Sequence, residues 1–359
     1  MKRIIILGMT SIVGGVETYI LNIYNRFKSK YLIDFIIQEP LDGIFKEKFK
    51  NENCNFFVVG NLKRHPISTL RKLKKIYKNN HYDIAYVNLC NSSLFLYTFY
   101  LKKYNKNCMI ITHSHNGDDK HKLQHKIIRK YLNKKTDKYF TCSDIAGNWM
   151  FGEKVMRSGK VHFIKNAIDT KKFEFQLDDR NEIRNALNIP KDAFVVGHIG
   201  RFEYQKNHPF ILRLCEDKEL SNIYFLLIGD GSYREEMLQQ INSKDLHNVI
   251  LPGTVENPYK YYSAMDCFIL PSFFEGLPIV GIEAQANGLS CLFSDRISLQ
   301  ADVTGRCQFL DLKEDVWKQK ILELSTRNIN VEFRKEGRTI CVQSGYDLDY
   351  EIEKIQAEF

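Results

Sequence analysis

The 359 residues are 44% hydrophobic and 26% charged, with 20 glycines and eight prolines. That balance excludes collagen-like, low-complexity and disordered chains and provides for about two domains of ~150 residues each. The net charge of +9 is unevenly spread: residues 1–165 hold 30 Lys+Arg against 12 Asp+Glu, a balance of +18, and residues 166–359 hold 22 against 31, a balance of −9. Two differently employed halves are expected, the basic one meeting nucleic acid, a phospholipid surface or a phosphate-bearing substrate.

The chain opens Met1-Lys2-Arg3 and enters the apolar run Ile4-Ile5-Ile6-Leu7, closed by Gly8. The run is too short for a signal-peptide core or a membrane span, and it reads as a strand buried in a parallel sheet. After Gly14-Gly15, the residues Val16, Tyr19, Ile20, Ile23 and Phe27 follow helical spacing. Strand, glycine turn and helix make the first unit of a doubly wound α/β domain. Further strands are expected at 33–37, 56–59, 84–88, 108–112 and 138–142, with helices at 66–78 and 123–132 among them. A second series follows, with strands at 193–199, 223–228, 249–251, 267–270 and 290–293, the last closing the set. Residues 165–172 are expected to link the halves, 178–181 to form a polar loop, and 346–359 to form an amphipathic helix through Leu348, Ile352 and Ile355. The predicted architecture is α/β: two Rossmann-like domains facing each other across a cleft. Nine cysteines without a C-x-x-C pair read as reduced cytosolic thiols.

Chemistry gathers where strands end. Pro271 closes a strand, Glu275 and Gly276 lie in the turn after it, and a helix opens at Leu277-Pro278, proline being tolerated at a first helical position. The free N–H groups of that helix start suit an anion, and Gly276 would let a phosphate approach the backbone. Glu283, eight positions on, sets a second carboxylate at a different depth; carboxylates accept from vicinal hydroxyl pairs such as those of ribose and hexose. The plain alternatives are a capping acid at Glu275 and a solvated face at Glu283. Arg201 follows a strand and Lys206 returns from the next loop, a pair of cations suited to a diphosphate, or otherwise a surface salt-bridge pair. His113 and His115 follow the fifth strand; no carboxylate or cysteine joins them at metal-ligand spacing, so no metal is expected. The first turn does not satisfy G-x-G-x-x-G, which argues against a nicotinamide dehydrogenase. Lys120, Lys122, Lys126, Arg129, Lys130, Lys134, Lys135 and Lys138 interleave with Leu123, Ile127, Ile128, Tyr131 and Leu132. This basic amphipathic helix is either a solvated face over a packed stripe or a membrane-facing one; nucleic acid ranks below both, because no reader motif accompanies the charge.

The string Phe274-Glu275-Gly276-Leu277-Pro278 followed by Glu283 resembles the signature of retaining glycosyltransferases of family 4, which have the GT-B fold. Gly14-Gly15-Val16-Glu17, His113-Ser114-His115-Asn116, Asn166-Ala167-Ile168-Asp169, Gly200-Arg201 with Lys206-Asn207, and Gly229-Asp230-Gly231 fall in the matching order. The forms are most similar to those of bacterial exopolysaccharide and capsule enzymes. The resemblance implies transfer from a nucleoside-diphosphate sugar, UDP-linked by expectation, to a lipid-linked saccharide, with no cofactor and no essential metal. Residues 1–165 would take the acceptor and 166–345 the donor, with 346–359 packing back on the first domain. It assigns catalysis to His115, Arg201, Lys206 and Glu275. The donor would be held by Gly15, Arg201, Lys206, Gly229, Val255, Glu275, Gly276, Leu277, Pro278 and Glu283. Gly14, His113 and Asn116 would lie on the acceptor or sugar side, His115 being preferred over His113 for the sugar contact. The expected location is cytoplasmic, peripheral at the inner face of the cell membrane. A nucleotide-sugar epimerase, or a catalytically silent sugar-nucleotide sensor or scaffold, are the alternatives on the same fold.

Overall fold

The computed structural model describes the chain apart from residues 12–13, 42–45, 50–53, 90–93, 116–121, 276 and 328–329. The chain divides into two compact units, Met1–Asn166 together with Asp349–Phe359, and Ala167–Leu348. The first carries a seven-stranded parallel sheet: β1 (Arg3–Leu7), β2 (Leu32–Ile37), β3 (Cys54–Val58), β4 (Ile84–Leu89), β5 (Met109–Ser114), β6 (Lys138–Thr141) and β7 (Val161–Phe163), in the order β3-β2-β1-β4-β5-β6-β7. The apolar runs are continuous because helices cover both faces; Ile4 through Leu7 are all buried. The Gly15–Phe27 helix turns Tyr19, Ile20, Ile23, Tyr24 and Phe27 inward, as its spacing predicts.

The second unit repeats the plan with six parallel strands: β8 (Val195–Ile199), β9 (Tyr224–Ile228), β10 (Val249–Gly253), β11 (Cys267–Leu270), β12 (Ser290–Ser294) and β13 (Cys307–Leu310), ordered β10-β9-β8-β11-β12-β13. In each sheet the order reverses beside one strand, β1 in the first and β8 in the second. Carboxyl ends of strands at such a reversal are where open α/β sheets take ligands.

Several features depart from the sequence reading. The second series does not close at β12, since β13 pairs beyond it. The three-residue edge strand β7 and the helices Phe95–Tyr104 and Asp144–Phe151 are additional. Residues 178–181 are not a polar loop but lie in the helix Leu177–Ala186, where Arg180 and Arg184 are buried. Their guanidinium groups hold Asp266 at 2.8 and 2.7 Å and donate to the carbonyls of Ser263, Ala264 and Met265. Polarity signalled exposure, but an arginine stem can be buried once its donors find carbonyls. The last helix, Leu348–Ala357, buries Leu348, Ile352 and Ile355. From Asp349 onward the chain belongs to the first unit, with Asp349 paired to Arg26 at 2.7 Å, Glu358 to Lys138 at 2.8 Å, and the Phe359 ring 5.2 Å from that of Phe27. Among the described residues no helix is long and apolar enough to cross a membrane.

Candidate active site

At the reversal point of the second sheet the backbone is drawn tight. A Cβ on Gly229, whose φ is 139°, would fall 1.9 Å from the Gly200 carbonyl oxygen, so only glycine lets β9 end this close to the end of β8. Beyond β8, Arg201 is exposed and the chain makes a short 3-10 turn, Tyr204–Lys206. Asn207, in the left-handed region at φ 55°, ends that turn and donates from Nδ2 to the Pro271 carbonyl at 3.1 Å. The Phe273 N–H donates to the Gln205 carbonyl at 2.9 Å, and Gln205 Nε2 donates to the Phe274 carbonyl at 2.9 Å. The post-β8 loop and the post-β11 loop are thereby stitched together.

The stitching delivers Lys206 to Glu275. Lys206 Nζ lies 2.7 Å from Glu275 Oε1, with the two side chains only 15% and 11% exposed, and Ser272 Oγ donates to the same oxygen at 3.2 Å. Glu275 is therefore an ion-pair partner and not a helix cap; the cap position of the Ile279–Ala286 helix belongs to Pro278. Glu283 on that helix is no solvated residue either. It is partly buried and accepts from the Tyr262 hydroxyl at 2.6 Å. Burial pushes its carboxyl up to about 7, against the opposing pull of the Tyr262 hydrogen bond and of Lys206. Tyr262 was not singled out from sequence: it lies 21 positions before Glu283, and a buried tyrosine in a short helix carries no mark of its partner. Val255 and Leu277 pack partly buried against the core of this unit, and Gly276 lies outside the described residues.

The strand ends of the first unit carry a different set of groups. Gly8, at φ 99°, would place a Cβ 1.9 Å from the Asn88 carbonyl oxygen. Glu17, in the first turn of the Gly15–Phe27 helix, accepts from the Thr10 N–H at 3.0 Å and the Thr10 hydroxyl at 2.7 Å. Gly14 is the N-cap residue of that helix, and a Cβ there would meet Glu17 Oε2 at 3.0 Å; at Gly15 the same position is open. Tyr19 and Tyr86 share a hydroxyl–hydroxyl hydrogen bond of 2.7 Å, and Tyr86 meets His113 Nδ1 at 2.8 Å. His113 is fully buried, which leaves His115, partly exposed and with its ring 4.0 Å from that of His113, as the histidine within reach of a ligand. Burial lowers His113 well below the usual histidine range and lowers His115 to about 4. Both rings are neutral at pH 7. Asn116 lies outside the described residues.

The basic helix, Lys122–Asn133, buries Leu132 but leaves Ile127 and Tyr131 56% and 57% exposed, beside exposed Lys126, Lys130 and Lys134. Of the interleaved apolar residues, these two do not pack inward but face outward among the lysines. Among the described residues no three His, Cys, Asp or Glu side chains converge as a metal site.

Residues 13–172 match Glycosyltransferase Family 4, and residues 179–306 match Glycosyl transferases group 1. The chain is a glycosyltransferase. The glycosyltransferase is 28% identical over 354 residues to EpsF of Bacillus subtilis (strain 168), whose name assigns it provisionally to the same class; the match covers 94% of this chain and 91% of that one. It is 27% identical over 142 residues, 38% of this chain and 37% of the other, to the UDP-Gal:alpha-D-GlcNAc-diphosphoundecaprenol alpha-1,3-galactosyltransferase of Escherichia coli. In fold it matches Anabaena HepE, crystallised in complex with UDP, at a TM-score of 0.78 and 16% identity, over 100% of this chain and 99% of that one. Its fold class is GT-B, α/β with two parallel sheets. Within the second unit of the glycosyltransferase, Lys206 and Glu275 stand on the stitched loops and Glu283 on the helix that follows, with Arg201 exposed just beyond β8. Arg201 and Lys206 can meet an anion, and the two carboxyl groups can accept hydrogen bonds from hydroxyls.

Proposed function

We propose that the enzyme transfers a sugar from a UDP-sugar to a hydroxyl of a lipid-linked saccharide, with retention of anomeric configuration, in bacterial exopolysaccharide or capsule synthesis. The observation that carries this reading is the Lys206–Glu275 pair beside the Glu283–Tyr262 pair at the end of β8 and β11. The UDP complex of HepE supports the donor class, and the E. coli galactosyltransferase, whose name gives a UDP-sugar and a diphosphoundecaprenol saccharide, supports the acceptor class. In this reading Arg201, Lys206 and the residues Gly276, Leu277 and Pro278, which precede the Ile279–Ala286 helix, stabilise charge on the departing diphosphate. Gly15 and Gly229 give it close backbone approach, Val255 borders the nucleoside, Glu283 grips the ribose hydroxyls and Glu275 the transferred sugar. His115 serves that sugar from the first unit, with Gly14 and Asn116 on the acceptor or sugar side, while His113, fully buried, lies behind His115 and out of a ligand's reach. The acceptor hydroxyl attacks the anomeric carbon on the face that the diphosphate leaves, and the leaving phosphate oxygen takes its proton. Two cations do the work a metal would otherwise do, so turnover is expected to survive EDTA.

The exposed Ile127 and Tyr131 among Lys126, Lys130 and Lys134 support peripheral contact with an anionic membrane, where the acceptor's lipid resides. Replacing those three lysines with glutamate should weaken binding to anionic vesicles and leave sugar-nucleotide affinity intact. The deciding assay for the activity is acceptor-dependent release of UDP. Isomerisation of the sugar nucleotide without acceptor would make the enzyme an epimerase, and binding without either reaction would make it a sensor.

A further inference from the structure

His115 has both ring nitrogens occupied. Nε2 lies 2.9 Å from Asn88 Oδ1 and Nδ1 lies 3.3 Å from Asn166 Oδ1. A neutral imidazole has one N–H to give, so two carbonyl oxygens cannot both be its acceptors, and one amide must present its NH2 instead. Asn88 is fixed from the other side, because its Nδ2 donates to the Leu7 carbonyl at 3.3 Å. Its Oδ1 therefore accepts from Nε2–H, and the amide that turns is that of Asn166, whose NH2 donates to the Nδ1 lone pair.

Asn166 is delivered by a segment anchored twice. The Ile164 N–H donates to the Thr141 carbonyl at 2.9 Å at the end of β6, and the Lys165 N–H donates to Glu351 Oε2 at 3.0 Å. Glu351 is 1% exposed on the Leu348–Ala357 helix, and its other oxygen accepts from Lys354 Nζ at 2.9 Å. Glu351 is thus held by Lys354 on its own helix and gives its second oxygen to the backbone N–H immediately before the residue that reaches His115, so a buried carboxylate fixes that N–H in place.

We propose that Asn88, Asn166 and, through the Lys165 backbone, Glu351 are positioning residues that hold His115 as the Nε2–H tautomer in one ring orientation. The Nδ1 lone pair is then what this side chain offers a sugar hydroxyl when that hydroxyl replaces the Asn166 amide. The last step rests on the reading that His115 serves the transferred sugar; the tautomer and its supports do not.

The test uses the full chain with 15N-labelled histidine. Nitrogen NMR of the ligand-free protein should show His115 protonated at Nε2 alone. Asn166→Asp, which presents only acceptors, should bring a proton to Nδ1. Glu351→Gln keeps an oxygen for the Lys165 N–H and should leave both spectrum and turnover near wild type. Glu351→Leu should blur the His115 signals and lower kcat roughly tenfold, with the donor KM moved much less. If Glu351→Leu does not fold, Asn166→Ala gives the same reading, with mixed tautomers and a similar loss of kcat expected. Protonation at Nδ1 in the wild type would overturn the proposal. So would unchanged His115 signals and kcat in folded Glu351→Leu or Asn166→Ala. If His115→Ala turns over like wild type, the functional reading fails while the spectra still decide the positioning.

Discussion

At the end of β1 a Cβ on Gly8 would strike the Asn88 carbonyl oxygen, and at the end of β9 a Cβ on Gly229 would strike that of Gly200, each at 1.9 Å. Both units thus bring strand ends together through glycine at the reversal point of a parallel sheet. What they place there differs. The first unit links Tyr19, Tyr86 and His113 by hydrogen bonds and sets His115, bonded to Asn88, beside the buried ring, with both histidines neutral. The second sets Lys206 against Glu275 and leaves Glu283 at the edge of ionisation. Hydrogen bonds between neutral groups fix geometry and respond little to salt or pH. A mostly buried ion pair beside a carboxyl raised to about 7 responds to both, and to an arriving anion. One sheet end is built to hold still and the other to react to charge.

The comparison is broken most severely at Lys206. Lys206→Ala should cut turnover on the order of a hundredfold or more and destabilise the fold by about 3 kcal/mol, because it leaves Glu275 mostly buried without its partner. The double variant Lys206→Met with Glu275→Gln should recover stability in a urea titration while turnover stays lost. Full stability in the single variant would show that the pair is no structural element.

A smaller effect is expected at Glu283. Glu283→Gln should weaken UDP and UDP-sugar binding by roughly tenfold to a hundredfold in calorimetry, the worth of one charged hydrogen bond. Glu275→Gln should spare UDP and depress turnover. UDP binding lost in Glu275→Gln and kept in Glu283→Gln would reverse the two roles. The pH dependence sharpens this. The Glu283 carboxyl is raised above its unfolded value, so the folded state binds the extra proton. The stability it contributes is present at low pH and lost as pH rises through about 7. Sugar-nucleotide affinity should climb over the same interval as the carboxylate forms, and in Glu283→Gln it should not.

The least effect concerns His208, buried with its ring 4.0 Å from that of Phe202. Burial, reinforced by His198 and Lys206, holds it down to about 2, so near neutrality only the unfolded chain takes up its proton. The corresponding stability is present above pH ~6.5 and lost as pH falls below it. His208→Phe should therefore gain about 2 kcal/mol at pH 5 relative to its own change at pH 8. An equal change in melting temperature at both values would rule this out.

The strands were legible because their signal is local. An apolar run buried on two faces, closed by glycine or proline, announces itself, and β11 occupies the residues that the pattern marks. Lys206 and Glu275 were legible as motif residues, but their pairing was not, since 69 positions separate them and the stitching runs through Asn207, Gln205 and Phe273 backbone contacts. The helix at Leu177–Ala186 was hidden because Arg180 and Arg184 look like surface residues until the carbonyls around Asp266 are in place. Ile127 and Tyr131 stayed open between a packed stripe and a membrane-facing one, because periodicity says which residues share a face and nothing about what that face meets. Asn88 and Glu351 carried no signal, because their partners come from distant strands and from the far end of the chain.

That far end has a consequence for how the molecule is made. The second unit is inserted into the first, so residues 349–359 leave the ribosome only after all of 167–348. Domains tend to fold in the order in which they emerge, but here the unit begun first is finished last. Until the closing helix arrives, Arg26 and Lys138 lack Asp349 and Glu358, and the ground that Ile352, Ile355 and Phe359 will cover lies open. A premature stop after residue 348 would spare the inserted unit and leave a nascent chain with a sticky, incomplete first one, a target for chaperones and proteases rather than a truncated enzyme.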